Sequence, residues 1–201
     1  MGLFNKLFGG SKSGGDIPMT SDFMDEALYW KIIAESTKHT DRNDQYEYIK
    51  KRLQGLSPQE IIGFQLRTDK FMADTYTSEL WCAGYVINGG CSDDGFDYFR
   101  GWIISRGKEV YYNAKDNPDS LINVSDLACD DCDFEEMLSL GRDAFEEKTG
   151  KELDDYVPGD VHSSMGYSEI EFNWKEEDEE SMKRICPKLY AKFWDAWGEE
   201  D

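Results

Sequence analysis

Residues 91–104 read CSDDGFDYFRGWII, and the reading of this stretch decides the fold. Ser92 is a favoured N-cap type, and Asp93 and Asp94 follow where a helix exposes its unpaired N–H groups. Phe96, Phe99 and Ile103 then recur at helical spacing, with Trp102 beside them. The stretch therefore predicts a capped amphipathic helix that ends near Gly107. The same residues also admit a chemical reading, in which two carboxylates and Arg100 form an acid–base or metal-assisted centre. Neighbouring side chains on a helix point about 100° apart, so Asp93 and Asp94 are poorly placed to share one ligand. Acids in a first turn stabilise the helix by roughly 0.3–1 kcal/mol each, and Asp97 with Arg100 has the spacing of an i,i+3 ion pair.

Outward from this helix the chain reads as mostly helical. Upstream, Ser21 is placed to cap a first helix carrying Asp22, Asp25 and Glu26 in its opening turn, with Phe23, Ala27, Trp30 and Ala34 on one face. Tyr46, Ile49 and Leu53 mark a second helix ending near Gly55. Ser57, Pro58 and Glu60 then spell a capping box with proline at the first helical position, the best-defined boundary in the chain. Leu80, Ala83, Val86 and Ile87 mark a fourth helix stopping at Gly89–Gly90. Downstream, KEVYYNAKDNP predicts a short helix that stops before Pro118. A longer one is predicted through Phe134, Met137, Leu138, Ala144 and Phe145 to Gly150. Ile170, Phe172 and Trp174 alternate with polar residues, which predicts a strand, with VHSSM or DYVPG as possible partners. Met182, Ile185, Leu189 and Phe193 predict a last helix that Pro187 breaks or restarts. The expected class is mainly α, α+β at most: a flexible tail over residues 1–20, rich in Gly and Ser, and a single helical domain over 21–201 with a short C-terminal strand or hairpin.

Composition narrows the function classes. Of the 201 residues 42 are acidic and 22 basic, a net charge of −20, so phosphate backbones are repelled and nucleic acid is not an expected partner. The same charge suits a basic protein partner. No stretch approaches the roughly 20 apolar residues of a membrane span. The five cysteines are odd in number and irregular in spacing, and the first ten residues do not make a secretory signal, which points to free thiols in a cytoplasmic protein. Leu3, Phe4, Leu7 and Phe8 could form one apolar turn, but Lys6 stands where the myristoylation pattern needs Ser or Thr.

The run SDDGFDYFRGWIISRGKEVYYNAKDNPDSL, residues 92–121, resembles the signature of the bacterial domain-of-unknown-function family 4240. Ala27–Ile33 resembles that family's N-terminal helix and Pro187–Leu189 its C-terminal one, so the similarity spans most of residues 24–195. The resemblance implies a bacterial, cytoplasmic, mainly helical protein, and it brings no catalytic residues with it.

Other candidate chemistry is incomplete. Cys129 and Cys132 form one CxxC, but structural zinc needs a second pair or spaced histidines, and flanking acids raise a thiol pKa rather than lower it. Asp130–Glu136 lacks the glycine and alternation of an EF-hand loop. His162 beside Ser163 and Ser164 lies in no nucleophile elbow, and no phosphate-binding loop is present. Trp194 and Trp197, three apart, would anchor a partner if exposed. The candidate functional cluster is therefore Asp93, Asp94, Arg100, Trp102 and His162, with no metal and no cofactor expected. Two functions compete. One is a non-enzymatic protein-binding module, immunity-like or regulatory. The other is an enzyme in which the carboxylates hold a cation or trade protons and Arg100 binds an anionic group.

Overall fold

The computed structural model describes residues 16–125, 127, 128, 132–164, 166, 167 and 169–194. Local sequence signals set the starts of several helices. Ser57 accepts from the Glu60 N–H while the Glu60 carboxylate accepts from the Ser57 N–H (2.8 Å) and Oγ–H (2.7 Å), which opens α3 (Pro58–Asp74). Asp41 caps α2 (Arg42–Gln54) through the N–H groups of Asn43 and Asp44. Thr77 caps α4 (Ser78–Asn88), and Ser92 caps α5 (Asp93–Ser105) through the Gly95 N–H. α4 and α7 (Leu140–Thr149) stop at Gly89 and Gly150, both left-handed, as glycine allows.

The first helix, α1 (Glu26–Ser36), starts four residues later than Ser21 predicts, with Asp25 as its cap. The cause is long-range. Thr20 N–H donates to the Tyr156 carbonyl (3.0 Å) and Met24 N–H to the Gly63 carbonyl (2.8 Å), so residues 20–24 are held outside the helix. The helix predicted through Phe134 to Gly150 is also divided. A 3₁₀ turn over Glu135–Leu138 precedes α7, and Phe134 N–H donates to the Tyr98 carbonyl (3.0 Å) instead of entering a helix. α6 (Lys108–Asp116) ends before Pro118 as expected, and a 3₁₀ turn occupies Pro118–Asn123.

α3 lies at the centre. Ile61, Ile62, Gly63, Phe64, Gln65 and Leu66 are all buried, so it is surrounded rather than amphipathic along this stretch. It packs most extensively on α7, which α2 also covers. Gln65 stitches α3 to the start of α7, donating to the Leu138 carbonyl (2.8 Å) and Asp69 (2.7 Å) and accepting from the Gly141 N–H (3.0 Å). α5 runs against the Glu135–Leu138 turn so closely that a Cβ on Gly101 would lie 2.6 Å from the Phe134 carbonyl oxygen.

The predicted strand is not formed. Among the described residues no strand occurs, and the proposed partner VHSSM lies partly in helix α8 (Gly159–Ser164). With no extended neighbour, residues 169–174 lie across the start of α4 as a strap whose backbone and side chains bond to helix ends. Asn173 N–H donates to Ser78 Oγ (3.1 Å) and Trp174 Nε1–H to the Ser78 carbonyl (2.9 Å). One bridge, Lys175 to Asp178, turns the chain into α9 (Glu179–Ile185). Pro187 restarts the helix as expected, opening the short α10 (Pro187–Leu189), which passes into a π-turn over Tyr190–Trp194. Its cap comes from far away: Asp119 Oδ1 accepts from the Lys188 and Leu189 N–H groups (2.9 and 3.0 Å).

Two stability outcomes follow. Gly101→Ala forces a carbon onto a backbone oxygen and should cost about 1–3 kcal/mol, read as a lower urea midpoint. Ser57→Ala should cost about 1 kcal/mol near neutral pH. The Ser57 hydroxyl and N–H hold the Glu60 carboxyl below its ordinary value of 4.5, so the stability it brings is complete above that value and is lost as pH falls through the depressed one. The gap between wild type and Ser57→Ala in urea titrations should therefore shrink on acidification.

Candidate functional site

The N-terminal half of α5 divides its residues sharply between solvent and interior. Asp93 and Asp94, the first two helical residues, are exposed, and among the described residues neither carboxylate takes an ion pair. One turn on, Asp97 is half-buried and Arg100 is completely buried. A buried cation must be paired and hydrogen-bonded. Arg100 meets this through Nη2 to Asp97 Oδ1, Nη1 to the Met72 carbonyl at the end of α3, and a longer Nε contact to the Phe96 carbonyl (3.4 Å).

Aromatic rings complete its surroundings. The guanidinium carbon lies 4.9 Å from the Tyr76 ring centre, 4.7 Å from Phe96 and 4.6 Å from Tyr167. Tyr76 and Tyr167 stack nearly parallel at 4.3 Å, and Trp81 stacks on Phe96 at 4.5 Å. Phe172, from the strap, stands edge-on to Trp81 at 5.3 Å. Arg100 thus sits beneath an aromatic layer, while Asp93 and Asp94 lie outside it.

Trp102 is two residues from Arg100, a little over half a turn around the helix, and faces elsewhere. It is buried against Phe99 (6.0 Å), with the Arg106 guanidinium 5.7 Å from its ring. His162 belongs to α8, and its side chain lies outside the described residues, as do Cys129, Asp130, Asp131 and Trp197. Asp133 from the acidic run pairs with Arg42. Among the described residues no three or more His, Cys, Asp or Glu side chains are grouped to hold a metal ion.

Other features were not legible from spacing. A cleft of about 470 Å³ opens between the end of α1, α6 and the 118–123 turn, bordered by His39, Arg106, Glu109, Asn113 and Asn123. Behind it the buried Gln45 amide joins three elements, donating to Ser36 Oγ and the Ser105 carbonyl and accepting from Arg106 Nη2 (2.7 Å). Cys82 and Cys186, 104 residues apart, are free thiols with sulfurs 3.8 Å from each other, and the Cys186 thiol together with burial pushes the Cys82 pKa far up. Burial, with Asp93 and Asp97 adding to it against Arg100, drives Cys91, beside the α5 cap, up to about 12. Neither thiol is activated as a nucleophile.

The two parts of α5 should separate by substitution. Arg100→Met removes the partner of Asp97 and of the Met72 carbonyl and should cost about 3 kcal/mol, the lower end for a broken buried pair because Asp97 keeps some contact with water. Asp93→Asn and Asp94→Asn should each cost no more than about 0.3–1 kcal/mol, their share of the helix-end field. Urea unfolding of the three variants at neutral pH checks both.

A family model described as Protein of unknown function (DUF4240) matches residues 24–147. That span takes in α1 to α6, the cleft and most of α7, and it ends before the strap and the C-terminal helices. No curated protein and no solved structure matches the chain. The family signature read in residues 92–121 lies wholly within the matched span, which covers more than half of the sequence, and the chain belongs to the DUF4240 family.

Proposed function

We propose that this chain is a non-enzymatic protein-binding module, immunity-like or regulatory, that engages a basic protein partner through the acidic start of α5. The carrying observation is that Asp93 and Asp94 stand exposed and unpaired among the described residues, on a helix fixed from behind by Arg100 and Trp102. The net charge of −20 adds a long-range field that draws in cations and repels nucleic acid. No helix among the described residues is long and apolar enough to cross a membrane. The free thiols Cys82, Cys91 and Cys186 suit the reducing bacterial cytoplasm, where we place the protein as one helical domain from residue 21 onward. The competing acid–base or metal-assisted reading draws less support. It needs Arg100 to reach a substrate, and the guanidinium is enclosed by Asp97, the Met72 carbonyl and three rings.

The test is a pull-down from native lysate at low and high salt, using wild type and the Asp93→Asn/Asp94→Asn double variant. A basic protein should be retained by wild type at low salt, and its recovery should fall at high salt and with the double variant. If wild type retains no protein at either salt concentration, the reading fails.

A further inference from the structure

The strap and Tyr167 just before it carry the most exposed aromatic surface of the described chain. Tyr167 is 45% exposed and Phe172 53%, and Met19 alone joins them as an exposed large hydrophobic residue among those described. These rings are not loose. Tyr167 is stacked on Tyr76 and Phe172 is braced against Trp81, so both stand on a continuous layer that ends on buried Arg100. Holding them there costs little further side-chain entropy on binding, which favours their use as anchors.

The charge around them selects the occupant. Between Gly166 and Glu180 acids outnumber the single lysine seven to one. Glu79 accepts a hydrogen bond from the Asn173 amide next to Phe172 (2.5 Å), and at Tyr167 the Arg100 cation acts on the hydroxyl, with Asp97 partly offsetting it. Aromatic faces bind guanidinium and ammonium groups through the ring quadrupole, arginine most often, and surrounding carboxylates strengthen that preference. A second copy of the chain, at −20, would meet its own charge on this face.

We propose that Tyr167 and Phe172, with the carboxylates around them, form the docking face for an arginine-rich segment of a protein partner. This deepens the basic-partner reading above and depends on it. The Phe172 ring takes an arginine side chain, Tyr167 a second, and Glu171 pairs with the next cation. The strap lies beyond the family-matched residues, so this face belongs to the chain's C-terminal part.

Fluorescence anisotropy with a labelled peptide of alternating Arg and Gly tests the face, with the Gln-for-Arg peptide as control, using full-length protein. Wild type should bind the arginine peptide at low salt and bind the glutamine peptide far more weakly. Phe172→Ala and Tyr167→Ala should each weaken binding about 2–5-fold. Phe172→Leu, which keeps the apolar bulk and loses the ring, should weaken it as much as Phe172→Ala. Urea midpoints check that the Phe172 substitutions leave the fold intact. Tyr167→Ala, which uncovers Arg100, is compared under denaturant-free conditions where its own urea curve shows it folded. If the ring variants bind as wild type does, the face is wrong while the basic-partner reading stands. If wild type does not bind the arginine peptide at low salt, the arginine face falls, and the basic-partner reading falls with it only if the lysate pull-down also retains nothing. If Phe172→Leu binds normally, or both peptides bind equally, the face is an apolar one and the cation proposal is overturned. A wild-type dimer in sedimentation that Phe172→Ala dissociates overturns it in favour of self-association.

Discussion

A completely buried guanidinium organises this molecule. Desolvating a cation costs several kcal/mol even after relaxation, and Arg100 recovers that only because every side of it is occupied. Asp97 neutralises it from the same helix, the Met72 carbonyl takes a second donor at the end of α3, and Tyr76, Phe96 and Tyr167 surround the remainder. These contacts belong to three separate parts of the chain. The end of α3, the middle of α5 and the segment around Tyr167 must therefore arrive at one point together, and an apolar residue at position 100 would impose no such requirement.

Two smaller polar junctions repeat the pattern. On α3 Gln65 donates to Asp69, Asp69 pairs with Arg142 on α7, and Arg142 reaches on to Asp154. Burial pushes the Asp69 carboxyl above its ordinary range, and Arg142 pulls it back. Gln45 ties α1, α2 and the end of α5. The chain thus uses few of its cations deep inside and leaves the excess of carboxylates at the surface. The acidity that looks uniform in composition is in fact sorted by depth.

The helical part of this arrangement is legible in the sequence because its causes are local. Ser57 and Glu60 lie three apart, Ser92 and Gly95 likewise, and such pairs declare a helix start without help from the rest of the chain. What was misread depends on distant partners. Ser21 has the right chemistry for a cap, but the Gly63 and Tyr156 carbonyls hold its neighbours out of the helix. The alternation of Ile170, Phe172 and Trp174 reports one side in contact with protein, which a strap over α4 satisfies as well as a strand does. At the candidate site, the capping role of Ser92 and the Asp97–Arg100 pair could be read from spacing. The aromatic cover of Arg100 could not, since Tyr167 follows it by 67 residues with no local sign of contact.

The cap on α10 has a consequence for timing. Cys186, at its N-cap position, offers no side-chain bond, and the Lys188 and Leu189 N–H groups are satisfied by Asp119, about 70 residues earlier. A three-residue turn with no cap of its own has no independent stability. It must wait until the Pro118–Asn123 turn has presented its carboxylate. During synthesis Asp119 leaves the ribosome before Lys188 and Leu189, so the acceptor precedes its two donors. The carboxylate, in turn, stays without these two donors until that segment arrives, so the end of the chain completes a bond prepared near its middle.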